Sequence, residues 1–330
     1  MKCAVIGAGA WGTALASVLA ENGHDTAIWA LEPDVVEAIN TAHENPRFLP
    51  GIALNAGVHA ATDKNVVLDG AELVVLASPS HVSRDVIRDC AVATRSDATL
   101  VVSTKGIERE TLALMTDVAE QELPGRPVVA LSGPSFAAEV AARQPTAIVA
   151  ASRDANAAAF AQKMFSSPSF RVYTHDDVVG VELGGALKNV MAVATGISDG
   201  LGLGFNARAA LITRGLAEMT RLGTRLGARA VTFAGLAGLG DLVLTCTGTL
   251  SRNRAVGLEI GRGRTLSDVL AGRQTVAEGV TTTESAHALA AREGVDMPIV
   301  AAVHRILFER QPARWALVEL MARDLRGEED

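Results

Sequence analysis

Residues 2–16 read Lys2-Cys3-Ala4-Val5-Ile6-Gly7-Ala8-Gly9-Ala10-Trp11-Gly12-Thr13-Ala14-Leu15-Ala16. A short apolar run meets three glycines in GxGxxG spacing, and an Ala- and Leu-rich run follows. The glycine spacing alone is a weak signal. With a strand before it and a helix after it, it reads as a dinucleotide-binding turn. Gly7 permits the tight turn, Gly9 lets backbone approach a pyrophosphate, and Gly12 lets helix and strand pack closely. The helix N-terminus turns its free N–H groups and positive dipole end toward phosphate. A ribose-reading residue is expected about 20 residues further on, at the end of the second strand. The segment there is Trp29-Ala30-Leu31-Glu32. Glu32 either accepts from the adenosine ribose hydroxyls, which favours NAD, or caps a helix starting at Pro33. In sequence, no Arg stands beside it to hold a 2′-phosphate.

Outward from this stretch, the first 175 residues alternate short apolar runs with helical patterns. Strands are expected at Lys2–Ile6, Thr26–Ala30, Leu73–Leu76, Thr99–Ser103, Val128–Leu131, Ala147–Ala151 and Phe170–Tyr173. Helices are expected at Thr13–Asn22, Pro33–Ala42, Val82–Cys90, Thr111–Glu122 and Asn156–Phe165. Continuously apolar strands separated by helices imply a mostly parallel sheet covered on both faces. From Val179 onward only helical patterns remain, including Val181–Gly196, Ala207–Leu226, Thr283–Glu293 and Pro298–Leu307. The expected division is therefore an α/β domain over 1–178 and an all-α domain over 179–330.

Composition excludes several classes. Lys plus Arg number 30 against 37 Asp plus Glu, a net charge of −7 over 330 residues, which argues against a nucleic-acid partner. Cys3, Cys90 and Cys246 form no CxxC pair, and no HExxH occurs. No metal site is expected. With no signal-like N-terminus and no long uninterrupted apolar stretch, a cytoplasmic protein without a membrane span is expected. The helix Ala207–Leu226 could bury a homodimer interface, and intramolecular packing would explain it equally well.

Ser103-Thr104-Lys105-Gly106 and Ser132-Gly133-Pro134-Ser135-Phe136-Ala137 each follow a strand. Loops at the carboxyl ends of parallel strands face the ligand crevice, so Lys105 is placed for an anionic or carbonyl substrate. Glu182-Leu183-Gly184-Gly185-Ala186-Leu187-Lys188-Asn189 opens the helical half. Two glycines in a helix cost about 1 kcal/mol each relative to Ala. Close approach of a cofactor or of another backbone would offset that cost. Lys188 lies on the same face, and partial desolvation would let it exchange a proton with a carbonyl or alcohol oxygen. Asp241 could orient Lys188 or cap a helix. Ser251-Arg252-Asn253-Arg254 concentrates donors suited to phosphate.

Taken together, these segments resemble the bacterial-type NAD(P)-dependent sn-glycerol-3-phosphate dehydrogenases. The carriers are GAGAWGTALA from Gly7, STKGIE from Ser103, SGPSFAAEV from Ser132, ELGGALKNVMAVATGISDG from Glu182, NARAALITRGLAEM from Asn206 and AGLGDLVLTCTGTLSRNR from Ala237. The resemblance implies a Rossmann-type domain joined to a helical domain like the C-terminal one of 6-phosphogluconate dehydrogenase. It implies reversible hydride transfer between sn-glycerol 3-phosphate and a nicotinamide cofactor, giving dihydroxyacetone phosphate. The role implied in the cell is glycerol 3-phosphate supply for phospholipid synthesis. It makes Lys188 the proton acceptor and donor, assisted by Lys105 and Asp241. Substrate contacts would come from Lys105, Gly133, Ser135 and Asp241, and from Ser251, Arg252 and Asn253, with Asn189 and Thr245 in the same pocket. Cofactor positions are matched by Ala10, Trp11, Lys105, Ala137, Arg252, Val276 and Glu278, beside Gly7, Gly9, Gly12 and Glu32. Leu31 stands where the family often has Arg or His. NAD or NADP is therefore expected, with NAD favoured.

Overall fold

The computed structural model describes residues 1–271, 277–325 and 327. Among the described residues ten strands are present: β1 (Lys2–Ile6), β2 (Asp25–Trp29), β3 (Glu44–Asn45), β4 (Leu49–Ala53), β5 (Val58–Ala61), β6 (Leu73–Leu76), β7 (Thr99–Val102), β8 (Val128–Ser132), β9 (Thr146–Ala151) and β10 (Phe170–His175). Eight form one sheet in the order β10-β9-β8-β7-β6-β1-β2-β5, and β3 and β4 form a separate hairpin. β1 lies between β2 and β6, parallel to both. The chain builds outward from β1 to β2 and β5, then returns and builds the other way from β6. Strand order therefore reverses at the carboxyl ends of β1 and β6, which is where ligands bind in open α/β sheets.

Alternation along β1 shows why the sheet is covered twice. Cys3 and Val5 join the core containing Leu15, Leu19 and Ile28. Ala4 and Ile6 join the opposite core with Val74, Leu76, Leu100 and Met115. A strand buried on both faces has no use for polar residues, so its sequence is a plain apolar run.

Among the described residues no strand follows β10. The helix Val178–Gly200 runs through the middle of the second half, and 20 of its residues are buried. Its closest partner is the helix Arg252–Gly261. A Cβ at Gly196 would collide with the Arg254 carbonyl, and one at Gly257 with the Val193 carbonyl. The two backbones are in van der Waals contact because both surfaces lack side chains there.

Several expectations change in detail. β5 (VHAA) and β4 (LPGIA) have their apolar residues interrupted by His or by Pro and Gly, and β3 has only two residues, so none stands out in sequence. β9 pairs antiparallel with β8 and parallel with β10, so the last two strands run opposite to the other six. The expected helix Thr111–Glu122 starts at Met115, because Leu112 has φ +61° and Ile107 bridges Leu114. Asp241–Thr247 forms a helix that the sequence reading left out. Two helical stretches, Val178–Gly200 and Ala230–Thr247, are long and apolar enough to cross a membrane by length and composition. The first is the buried core helix. The second breaks at Ala234–Gly235 and carries the buried Asp241.

Candidate active site

The phosphate loop is shaped by backbone proximity. Gly7 has φ +121°, and a Cβ there would lie 2.9 Å from the Ala77 carbonyl oxygen. A Cβ on Gly12 would collide with the Gly7 carbonyl. Gly9 is the N-cap of the helix Ala10–Glu21, and no side chain caps that helix. A Cβ on Gly9 would meet no protein atom within 4 Å. Gly7 and Gly12 therefore serve internal packing, while Gly9 faces open space beside uncapped N–H donors. Ala10 and Trp11 are half-buried, and the buried Trp11 Nε1 has no hydrogen-bond partner. Free donors around a side-chain-free turn fit a dinucleotide pyrophosphate.

At the end of β2, Leu31 is exposed and Glu32 is the N-cap of the helix Pro33–Ala42. Glu32 thus occupies the N-cap position, as one alternative expected, through its backbone carbonyl, while its carboxylate makes no capping hydrogen bond. The expectation that no Arg stands nearby is corrected. The β3–β4 hairpin brings Arg47 Nη2 to 3.8 Å from Glu32 Oε1. A neighbour 15 residues away in sequence is brought close only by that hairpin.

Three segments converge on Asp241, which is wholly buried. Lys188 Nζ donates to Asp241 Oδ1 at 2.5 Å and to Thr245 Oγ1 at 2.9 Å. Lys105 Nζ donates to Asp241 Oδ2 at 2.7 Å and to the Gly133 carbonyl at 2.9 Å. Ser135 Oγ donates to the same carbonyl at 2.9 Å. Gly133 has φ +142°, and a Cβ there would lie 2.9 Å from Ile148 Cα. Lys105 is pinned by its neighbours: Ser103 Oγ donates to the Leu76 carbonyl and Thr104 Oγ1 to that of Ser78. Burial pulls the Lys188 ammonium down to about 8, with the charge of Lys105 acting in the same direction and Asp241 opposing. Two ammonium groups share one carboxylate, leaving a net positive charge in the cluster.

The helical glycines find their reason here. A Cβ on Gly184 would collide with the Ala237 carbonyl, and one on Gly185 would lie 2.5 Å from Ser132 Oγ and 3.5 Å from Lys105 Cγ. Of the two explanations expected, close backbone approach holds for Gly184, and Gly185 makes room for side chains.

A polar chain links this cluster to the Ser251–Arg254 segment. Asn189 Nδ2 donates to the Lys105 carbonyl at 3.2 Å, and Asn253 Nδ2 donates to Asn189 Oδ1 at 2.8 Å. Asn253 Oδ1 accepts from the Gly279 N–H at 2.9 Å. Asn253 is thus largely engaged within the protein. Ser251 Oγ caps the helix Arg252–Gly261 by accepting from the Arg254 N–H. Arg252, at its first position, keeps an exposed surface and makes no hydrogen bond among the described residues; partial burial lowers its guanidinium, and the nearby Glu278 carboxylate opposes that lowering. A cationic side chain on a helix N-terminus is suited to an anion. Arg254 instead pairs with Asp199, which also binds Arg208. Glu278 accepts from Ser80 N–H at 3.1 Å and Ser80 Oγ at 2.5 Å. Burial raises its carboxyl above the usual range. Ala137 starts the short helix Ala137–Ala141 and is half-buried. Val276 lies outside the described residues.

Sequence reasoning passed over Asn45, Arg47, Ser80 and Asp199. Asn45, Arg47 and Ser80 lie in no quoted motif, Asp199 sits unremarked near the end of the motif from Glu182, and each acquires its partners only through folding. Among the described residues no group of three His, Cys, Asp or Glu is arranged to hold a metal.

Comparison with known proteins bears on this arrangement. The family model described as NAD-dependent glycerol-3-phosphate dehydrogenase N-terminus matches residues 2–158, and its C-terminus counterpart matches 177–318. The chain is 55% identical over 330 residues to "Glycerol-3-phosphate dehydrogenase [NAD(P)+]" of Geobacter sulfurreducens, covering 99% of this chain and 98% of that one. It is 52% identical to the protein of that name in Myxococcus xanthus, covering 99% of each chain. The crystal structure of glycerol-3-phosphate dehydrogenase from Coxiella burnetii superposes with a TM-score of 0.94 at 41% identity, over 98% of this chain and 99% of that one. A ketopantoate reductase from Ralstonia eutropha shares the fold alone, with a TM-score of 0.63 at 18% identity. With both halves matched and relatives of this identity spanning nearly its whole length, the chain belongs to the NAD-dependent glycerol-3-phosphate dehydrogenase family.

Proposed function

We propose that this chain interconverts dihydroxyacetone phosphate and sn-glycerol 3-phosphate with NAD or NADP, in two functional units, 1–178 and 179–330. In a bacterial cell the product would supply glycerol 3-phosphate for phospholipid synthesis, in the cytoplasm. The observation that carries the reading is Lys188, buried beside Asp241 and Thr245 and linked through Asn189 and Asn253 to the Arg252 helix N-terminus. When bound, the nicotinamide cofactor supplies and receives the hydride.

This chain's residues do the rest. The Gly7–Gly12 turn and the helix Ala10–Glu21 hold the pyrophosphate through backbone N–H groups. Arg252 and the N-terminus it sits on hold the substrate phosphate, which fixes the position of C2. Lys188 Nζ donates a proton to the C2 oxygen during reduction and accepts it during oxidation. An ammonium lowered to about 8 can act in both directions near neutral pH. Asp241 orients Lys188, and Lys105 adds positive charge where the C2 oxygen gains electron density.

The test is NADH and NADPH oxidation with dihydroxyacetone phosphate against unphosphorylated dihydroxyacetone. Turnover with the phosphate ester and a loss of about 10³-fold or more in kcat/KM without it is expected, since remote binding energy is used to position C2. Equal rates would remove the role given to Arg252. Turnover of a 3-keto acid instead would replace the reaction.

A further inference from the structure

The β3–β4 hairpin is fastened to the phosphate loop. Asn45 is wholly buried. Its Nδ2 donates to the Ala8 carbonyl and to Thr13 Oγ1, both at 2.9 Å, and its Oδ1 accepts from the Phe48 N–H at 3.1 Å. Ala8 lies inside the GxGxxG turn and Thr13 on the helix that follows it, so the hairpin tip is held at a fixed position relative to the pyrophosphate cradle. The tip residue Arg47 extends from there to the end of β2. Its Nη1 lies 3.5 Å from each Asp34 carboxylate oxygen, and its Nη2 lies 3.8 Å from Glu32 Oε1. The guanidinium carbon stands 5.4 Å from the Phe48 ring centroid.

These ion-pair distances are long. A tight guanidinium–carboxylate fork closes to about 2.8 Å. Arg47 is 38% exposed and Asp34 68% exposed, and pairs of this kind contribute about 1 kcal/mol at most. The guanidinium can therefore exchange these partners for a more highly charged one. Glu32 and Asp34 with Arg47 sum to one net negative charge at the ribose end. With both carboxylates alone, a 2′-phosphate there would meet only repulsion.

Resting on the dinucleotide reading above, we propose that Arg47 is the residue through which this chain accepts NADP. With NAD bound, Arg47 stays between Glu32 and Asp34, and Glu32 is available to the ribose hydroxyls. With NADP bound, Arg47 leaves the carboxylates and forks onto the 2′-phosphate, which an arginine near this position accommodates in dinucleotide folds. The two acids make that exchange costly enough for NAD to remain favoured.

The test is the equilibrium Kd of NADH and of NADPH, from nicotinamide fluorescence without substrate, in wild type, Arg47→Ala, Arg47→Lys and Glu32→Gln. Arg47→Ala is expected to weaken NADPH about tenfold or more and NADH less than about twofold. Arg47→Lys should fall between wild type and Arg47→Ala for NADPH, having charge without the fork. Glu32→Gln should tighten NADPH about fivefold, since it removes a repelling charge. Equal weakening of both cofactors by Arg47→Ala, or none for NADPH, overturns the assignment. Failure of wild type to bind either cofactor would instead overturn the dinucleotide reading itself.

Discussion

The phosphate loop and the lysine cluster solve opposite physical problems. Gly7–Gly12 is six consecutive residues without a charged group, and it works because side chains are missing. Its donors are backbone N–H groups, fixed by the turn and by the helix start. The cluster draws Lys105, Lys188 and Asp241 from three segments, with Lys105 and Asp241 at a sequence separation of 136. It works because side-chain charges are forced together out of water. The loop tolerates no added methyl at Gly12. The cluster depends on its single carboxylate, since removing Asp241 would leave two ammonium groups uncompensated, at about 3–5 kcal/mol. On the proposed reading, binding of the cofactor and movement of the proton fall to regions that should fail independently.

Lys188→Ala should separate them most sharply. We expect kcat to fall by about 10³-fold, with NADH Kd within about twofold of wild type. Retained kcat would sink the lysine mechanism. In wild type, reduction needs the protonated amine, so its rate should fall as pH rises through about 8. The oxidation rate should rise through the same range. A pH profile that is flat between 7 and 9 would contradict the assignment of Lys188.

Gly12→Ala makes the converse cut. The added methyl collides with the Gly7 carbonyl, so loop and helix must separate. We expect about 2 kcal/mol of destabilisation by urea unfolding and an NADH Kd raised at least about tenfold. The Lys188 pH midpoint in the surviving activity should be unmoved. A shifted midpoint would mean that the two regions are coupled.

A smaller effect tests whether buried charge matters outside the cluster. Glu182 lies on the Lys188 helix and accepts from the N–H and hydroxyl of Thr116. Burial pushes its carboxyl up to about 7. The folded state thus holds this proton more tightly than the unfolded one. Its contribution is most favourable below the unfolded value near 4.5 and is lost as pH rises to about 7. Glu182→Gln, which keeps an acceptor for Thr116, should raise Tm by about 2 °C at pH 8 and leave it unchanged at pH 4. A drop at pH 8 would show that the charged form is the stabilising one.

Much of the fold was legible from local pattern. β1 and β6 and the helix Pro33–Ala42 fall on the residues expected, because apolar runs and a Pro at a helix start act within a few residues. The short strand β5 and the reversal at β9 were not legible, since pairing partners and strand direction are set by distant contacts. Within the site, the residue types and their proximity to strand ends and helices could be read. The convergence on Asp241 could be suspected only for Lys188. The shared pairing with Lys105 depends on the Asp241–Thr247 helix packing against the central helix.

The sequence by itself determined the strand, glycine turn and helix at the start, the two-part architecture and the family. Each rests on contiguous residues whose backbone preferences and periodicity are local. Tertiary structure alone decided that one carboxylate serves two lysines, that Asn45 fastens a hairpin to the phosphate loop, and that Arg47 stands where the ribose end lacks a neighbouring basic residue. These are relations between charges and hydrogen-bond partners far apart in the chain. Their energies depend on distance and burial, which exist only once the chain has folded.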